Sequence, residues 1–154
     1  MTPEIAFKLK AADIYHFLKE SHEEFEADKL NKKKALICAL LAYHLIEWHL
    51  WEIDPTRKKV NAALCMDYIS NLEIELQTSF KIMLDLGNGF KHDVLNCVKI
   101  INESNVHEGP FDKTFDHTFD TSCLVVKIED TTYKVKFELE KVVAYWDSVF
   151  ANKE

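Results

Sequence analysis

The chain has 154 residues, of which 47% are hydrophobic and 29% charged, a composition typical of one globular domain and unlike a disordered chain. Its formal charge of −7 argues against a protein that coats duplex DNA, because such proteins neutralise phosphates with excess Lys and Arg. The N-terminus lacks the apolar run of a signal peptide, and the most apolar stretch, 35–46, is too short to cross a bilayer. We therefore expect a cytoplasmic protein without membrane contact.

The first half of the chain predicts three helices. Pro3 suits the first turn of a helix whose apolar spacing continues to about Glu26. Asn31 is a suitable N-cap for a second helix, which should end at Asp54 because a proline follows. A short third helix is expected over residues 60–69.

A longer fourth helix follows. Ser70 or Asn71 would cap its start, and apolar residues at helical spacing continue the pattern to about Ile101. Residues 102–120 are rich in Asn, Asp, His, Gly and Pro, which predicts a loop.

The C-terminal part predicts a β-hairpin and a last helix. Lysines alternate with apolar residues over about 123–137, with a turn at 129–132, and a stripe of apolar residues marks a helix over about 138–151. A two-stranded hairpin is marginal alone, so it should pack on the helices or on a second subunit. The fold class is therefore mainly α: a bundle of four to five helices in one domain, residues 1–154, with a C-terminal hairpin and terminal helix.

One group of polar residues lies within the apolar patterns of two helices. Asn88, Lys91 and His92 are spaced i, i+3 and i+4 on the fourth helix, and His44 and Glu47 share a face of the second. If these helices are antiparallel neighbours, Glu47 is expected to reach Lys91 or His92. Buried polar groups need partners, so a purely structural network is one interpretation. A catalytic site is the other, because a carboxylate can orient a histidine as a general base.

Two glycines, Gly87 and Gly89, stand beside these polar residues inside the fourth helix. Each costs about 1 kcal/mol relative to alanine in a helix interior, so close packing or a bend is expected there. Missing side chains would also let a ligand or a second backbone approach.

These motifs resemble the HEPN superfamily, the higher eukaryotes and prokaryotes nucleotide-binding domain. Its signature is an Arg, commonly followed by Asn, then three variable residues and His. Asn88 and His92 match that signature, whereas Gly87 stands where the family has its arginine. The chain also resembles a set of small bacterial HEPN-like proteins of unknown function. The residues that fit their layout are His44, Glu47 and Trp48, then Asn88, Lys91 and His92, and lastly Trp146.

The resemblance implies a compact bundle that forms a homodimer and needs no cofactor. A non-catalytic interaction role is expected first, as the partner in a toxin–antitoxin or phage-defence system, with protein or RNA as the partner. The alternative it implies is a metal-independent ribonuclease. His92 would then move the proton, Lys91 would neutralise the phosphorane, Asn88 would orient the phosphate and Glu47 would hold the histidine tautomer.

A metal enzyme is the third possibility. Carboxylate and imidazole ligands are available in two sets, neither of which has a recognised motif. The four cysteines form no Cys-x-x-Cys pair, so a cysteine zinc site is not expected. The two sets are His44, Glu47 and His92, and then His107, Asp112, Asp116 and His117.

Other conspicuous residues have simpler interpretations. Trp48 and Trp51 either fill the core or anchor a partner. His49 and Glu52 are expected on a solvated surface. The basic cluster of 29–34 is interpreted as a solvated helix end.

Overall fold

A computed structural model describes residues 6–57, 59–91, 100–107 and 122–153. These residues form five α-helices and a small three-stranded antiparallel sheet that precedes the last helix. The helices are α1 (Ala11–Glu26), α2 (Lys32–Ile53), α3 (Ala62–Ser70), α4 (Ile74–Lys91) and α5 (Val135–Ala151). The strands are β1 (Glu103–His107), β2 (Cys123–Ile128) and β3 (Thr131–Lys134). The predicted mainly helical class is confirmed.

The first helix begins later than the sequence predicted. Residues 1–5, including Pro3, lie outside the described residues, and a short 3-10 turn spans Ala6–Lys8. Phe7 and Lys8 have positive φ angles of 60° and 51°, which a right-handed α-helix cannot include. The helix α1 starts only after Lys10, whose backbone N–H donates to the Asp13 carboxylate at 2.7 Å.

The predicted limits of the second helix are confirmed. The Asn31 side chain accepts the N–H of Lys34 at 3.1 Å, as an N-cap should, and α2 ends at Ile53 just before the Asp54–Pro55 pair. Helix α3 has the same kind of start, because Asn61 accepts the N–H of Leu64 at 2.9 Å.

Neither residue predicted to cap α4 does so. Ser70 is the last residue of α3, and its hydroxyl donates to the Met66 carbonyl at 2.8 Å. The Asn71 amide donates to the Asp67 carbonyl at the same distance. Both side chains therefore satisfy carbonyls at the end of one helix instead of N–H groups at the start of the next.

The predicted extension of α4 to Ile101 is wrong at its end. Ile100 and Ile101 lie outside any helix, although residues 92–99 are not among those described. Their backbone N–H groups donate to Oδ2 of Asp85, at 2.9 and 2.7 Å respectively. This carboxylate therefore holds Ile100 and Ile101 against α4, just before β1 begins.

The sheet contains one strand more than the predicted hairpin. Strand β1 falls within the region predicted as loop, and it pairs antiparallel with β2, Ser104 facing Val126. The β2–β3 hairpin is confirmed, with Glu129 at φ 53° in its turn. Its second strand ends at Lys134, and α5 begins three residues before the predicted position because Val135 faces the core while Phe137 is 48% exposed.

Trp146 of α5 is the centre of the core. It is fully buried, and its indole N–H donates to the carbonyl of Ala42 on α2 at 3.3 Å. The rings of Phe80 and His49 pack at 6.0 and 5.6 Å from the indole, so α2, α4 and α5 meet here.

Helix α2 runs through the middle of this arrangement. Its length and apolar composition are enough to cross a membrane, and it is the one described helix of which this is true. A core helix of a soluble protein has the same properties, and α2 packs against α1, α3, α4 and α5. The packing of α2 within the bundle is therefore enough to explain its apolar composition.

Helices α2 and α4 run antiparallel and cross where Gly87 meets Leu40. A Cβ atom built on Gly87 would lie 3.3 Å from Cα of Leu40 and 3.7 Å from the carbonyl carbon of Ala39. Later in α4, Gly89 lines a cavity with Leu36, which comes earlier in α2. The absence of a side chain at Gly87 is therefore what lets the two backbones approach.

The two glycines of α4 provide a matched test of this contact. We expect Gly87→Ala to lower the free energy of unfolding by about 1–2 kcal/mol, because the new methyl group meets backbone that cannot rotate away. Gly89→Ala should raise it by up to about 1 kcal/mol, since its Cβ would meet nothing within 4 Å and alanine favours helix. Urea unfolding followed by circular dichroism measures both. Equal effects of the two substitutions would contradict the close approach.

Candidate functional site

The polar group on α2 is formed as the spacing predicted. Nδ1 of His44 lies 3.1 Å from Oε2 of Glu47, one turn further along the same helix, and both side chains are partly exposed. A neutral imidazole that donates its Nδ1 hydrogen to Glu47 carries its lone pair on Nε2. This is the arrangement that orients a histidine as a general base.

The polar group on α4 is described only in part. Asn88 is half-buried, one residue after the Gly87 contact. Lys91 is the last residue of α4, but its side chain lies outside the described residues, as does the whole of His92. The catalytic roles predicted for Asn88, Lys91 and His92 therefore stay predictions.

The register of the two helices separates Glu47 from Lys91. Glu47 lies seven residues after Leu40, and Lys91 lies four residues after Gly87. Because the helices are antiparallel, these offsets add, and the helical rise places the two Cα atoms about 16 Å apart along the helix axes. That distance exceeds the reach of the two side chains, so the expected Glu47–Lys91 pair has no geometric support.

Glu47 faces α3 instead. Burial raises the pKa of the Cys65 thiol to about 11, and the negative charge of nearby Glu47 adds to the rise. Burial likewise raises the pKa of Cys38 to about 12. Thiols that stay protonated at neutral pH are poor nucleophiles. Both cysteines are free and buried, so they serve as core residues.

His49 is buried, which contradicts its predicted place on a solvated surface. It is 8% exposed and lies among the rings of Tyr68, Trp146 and Phe150. Burial lowers the pKa of His49, with the positive charge of Lys153 as the next cause, so the neutral ring is favoured. Its position in the aromatic core makes it a packing residue.

Glu52 and the tryptophans of α2 lie closer to solvent. Glu52 is exposed as predicted, and its carboxylate accepts the N–H of Ala11 at 2.7 Å, which ties α2 to the start of α1. Trp48 and Trp51 are half-buried, with ring centroids 6.5 Å apart, and Trp48 packs against the core. Core filling is therefore the better description of Trp48.

Sequence reasoning missed two buried acids. Asp85 holds the chain after α4, and Glu138 on α5 accepts the hydroxyl of Ser79 on α4 at 2.5 Å. Lys141 lies 3.2 Å from the same carboxylate. The available signal was an acid within an apolar run, as where Asp85 follows Leu84 and precedes Leu86. A polar residue at a core position needs a dedicated partner.

Neither predicted metal site can be completed from the described residues. Within those ranges, no group of three His, Cys, Asp or Glu side chains is placed to hold a metal ion. The first set includes His92, and the second includes Asp112, Asp116 and His117, all of which lie outside the described residues. The side chain of His107 is likewise not described.

No protein-family model, curated protein or solved structure matches this chain. The likeness to the HEPN superfamily therefore rests on the short motifs alone and stays a prediction.

Double-mutant cycles test the placement of Glu47. We expect Glu47→Gln and His44→Gln to couple by about 0.3–0.5 kcal/mol in the free energy of unfolding, the usual strength of an exposed pair one turn apart. Glu47→Gln and Lys91→Met should couple by less than about 0.3 kcal/mol, because residues this far apart act additively. Chemical denaturation of the single and double variants gives both values. A larger coupling for Lys91 than for His44 would show that the two helices bring Glu47 and Lys91 together.

Proposed function

We propose that this chain is a non-catalytic interaction bundle that binds an acidic protein segment at one end of the molecule. The observation that carries the proposal is an uncompensated cluster of positive charge, here called the lysine-rich end. It is formed by the start of α2, the turn before it and the start of α5. Its residues are Lys29, Lys32, Lys33 and Lys134, all of which are exposed.

The carboxylates near the lysine-rich end, as far as the structure describes it, are paired with other lysines. Among the described residues, none of its four lysines forms an ion pair. Two neighbours do: Lys34 lies 3.3 Å from Asp28, and Lys136 lies 3.7 Å from Glu26. Lys32 and Val135 line the same cavity, which brings the start of α2 to the start of α5.

The helix dipole strengthens this positive potential. Helix α2 has no acidic residue in its first turn, although the partial positive charge of a helix N-terminus favours acids there. Placing Lys32 and Lys33 at this end therefore opposes the dipole. An anionic partner would offset that repulsion. Its binding would therefore also stabilise the folded protein.

An exposed aromatic side chain lies beside these lysines. Phe137 is 48% exposed, and the Nζ atoms of Lys134 and Lys136 lie 5.4 and 5.9 Å from its ring centroid. A ring surrounded by cations suits an acidic segment that also carries an apolar residue. Because the whole chain has a charge of −7, a long polyanion would meet repulsion beyond this end.

The homodimer predicted from the resemblance is one form of this proposal. Glu20, Glu23 and Glu24 are exposed on α1 and form an acidic surface that a second copy would bring. A partner from a toxin–antitoxin or phage-defence system, also implied by the resemblance, would need the same chemistry.

Binding of a labelled glutamate-rich peptide carrying one tryptophan tests the proposal. We expect the Lys32→Glu, Lys33→Glu, Lys134→Glu triple variant to weaken binding at least about tenfold and to reduce its salt dependence. Fluorescence anisotropy at low and high salt measures the affinity, and sedimentation equilibrium reports dimerisation.

The matched control is the Lys8→Glu, Lys59→Glu, Lys153→Glu triple variant, which changes three exposed lysines elsewhere and should keep most of the affinity. Unchanged binding by the triple variant at the lysine-rich end would refute the assignment of this surface. Preference for oligouridine over the peptide would replace a protein partner with RNA.

A second candidate function is favoured by the His44–Glu47 pair. The carboxylate at 3.1 Å orients the imidazole as a ribonuclease general base would require. In the mechanism implied by the resemblance, His92 would move the proton, Lys91 would neutralise developing phosphorane charge and Asn88 would orient the phosphate.

Cleavage of single-stranded RNA in the presence of EDTA tests this second candidate. A ribonuclease of this type should retain its rate in the chelator and lose about 10²–10⁴-fold on His92→Ala or His44→Ala. His16→Ala, which changes an exposed histidine on α1, should leave the rate unchanged. Absence of cleavage by the unmodified chain would exclude this function.

A further inference from the structure

A small apolar cavity opens at the lysine-rich end, next to the cavity that Gly89 lines. Its volume is about 140 Å³, and it lies between the start of α2, the later part of α4 and the sheet. An apolar cavity of about 150 Å³ stays dry and accepts one group the size of benzene. The walls are mostly aliphatic, and the described residues that form them include Ala35, Leu36, Leu86, Leu124, Val126 and Val135.

The cavity can be reached from solvent. Leu36 and Leu86 are half-buried, so part of each wall is exposed. Ser104 of β1 also lines the cavity and is exposed. Because Ser104 lies directly opposite the buried Val126 in the β1–β2 pair, its side chain is on the inner face of the sheet. A side chain from another molecule would therefore enter past Ser104.

Positive charge lies at the edge of this cavity. Lys32 lines it, and Lys134 directly precedes Val135 of its wall. Neither lysine forms an ion pair within the part of the chain that the structure describes. The group that fits this place is therefore an aliphatic side chain with carboxylates beside it.

The same chain presents such a group at the start of α4. Ile74 is 74% exposed, more than any other aliphatic side chain among the described residues, and it stands between the exposed Glu73 and Glu75. Acids suit the N-terminus of a helix. The isoleucine between them gains little from folding, because most of it stays in water.

A similar sequence at the end of α2 differs in how its acids are used. Ile53 is 61% exposed and stands between Glu52 and Asp54. The Glu52 carboxylate accepts the Ala11 N–H, and the Asp54 carboxylate accepts from Thr56 and Arg57.

The side chains of Glu73 and Glu75 have no hydrogen bond or ion pair in the described ranges, so they are available to a partner. Ile74 cannot enter the cavity of its own molecule. It lies twelve residues before Leu86 on the same helix, which the helical rise converts to about 18 Å. A contact between them therefore requires two copies of the chain.

We infer that the cavity at the lysine-rich end binds Ile74 of a second copy, with Glu73 and Glu75 against Lys32 and Lys134. This inference rests on the proposed function, because the acidic partner is then the chain itself. It assigns the start of α4, rather than the acidic surface of α1, as the segment that a second copy brings. No aliphatic side chain of α1 is exposed to a comparable extent.

Sedimentation equilibrium of the whole chain up to about 0.5 mM tests the inference. We expect self-association with a Kd of about 100 μM or tighter, weakened at least about tenfold by Ile74→Ser. Ile53→Ser is the matched control, since it removes the other highly exposed isoleucine, and it should change nothing. A monomer at the highest concentration, or equal effects of the two substitutions, would overturn the inference.

A substitution at the mouth of the cavity tests whether the cavity is the binding place. Ser104→Ile should weaken self-association about tenfold, because the new side chain fills the space, and isoleucine favours a strand. Ser148→Ile makes the same change at an exposed position of α5 and should have no effect. Circular dichroism verifies the fold of both. Unchanged self-association in folded Ser104→Ile would reject the cavity.

Exchange of the charges tests the pairing of the two surfaces. The Lys32→Glu, Lys134→Glu variant and the Glu73→Lys, Glu75→Lys variant should each lose self-association. A mixture of the two should associate, because opposite charges then meet in both directions. A mixture that stays monomeric would reject the pairing.

The labelled glutamate-rich peptide separates this inference from the proposed function. The Glu73→Lys, Glu75→Lys variant keeps the lysine-rich end and should bind the peptide at least as tightly as the unmodified chain. Peptide binding by an unmodified chain that does not self-associate would reject the inference and retain the proposed function. Absence of both would reject both.

Discussion

The contact between the Gly87 and Leu40 backbones determines how the rest of the bundle is arranged. Because α2 and α4 meet there with no side chain between them, Gly87 is fixed opposite Leu40. The helical rise then determines which other residues of the antiparallel pair lie opposite each other. Phe80 is thereby placed beside Trp146, whose indole is bonded to Ala42. The same register places Glu47 beside α3 and leaves Gly89 and Asp85 at the cavity near β1. A change at this crossing would therefore affect both the core and the polar residues.

Features determined by neighbouring residues were predictable from the sequence. Asn31 caps α2 through an N–H three residues away, Pro55 ends the same helix, and the turn of the β2–β3 hairpin lies within six residues of both strands. His44 and Glu47 also met as predicted, because i, i+3 spacing on one helix is enough to bring them together. For each of these features, the sequence nearby contains the whole physical cause.

The sequence predictions were wrong where the local structure depends on residues far away in the sequence. The chain after α4 turns back because its backbone bonds to Asp85, and β1 exists only by pairing with β2. His49 is expected on the surface from the sequence, but the helices that pack around α2 bury most of the circumference of that helix. The candidate site was predictable only within single helices. The offset between α2 and α4 depends on a backbone contact that no spacing rule contains.

The position of Trp146 in the last helix has a consequence for biosynthesis. The indole of Trp146 donates to Ala42, 104 positions earlier in the sequence, so the parts of α2 and α4 that face α5 stay uncovered until α5 has been translated. A nascent chain with only the first four helices would expose those faces to water and to other nascent chains. Folding of the core should therefore wait for the synthesis of α5, with a requirement for chaperones that the small size of the domain does not suggest.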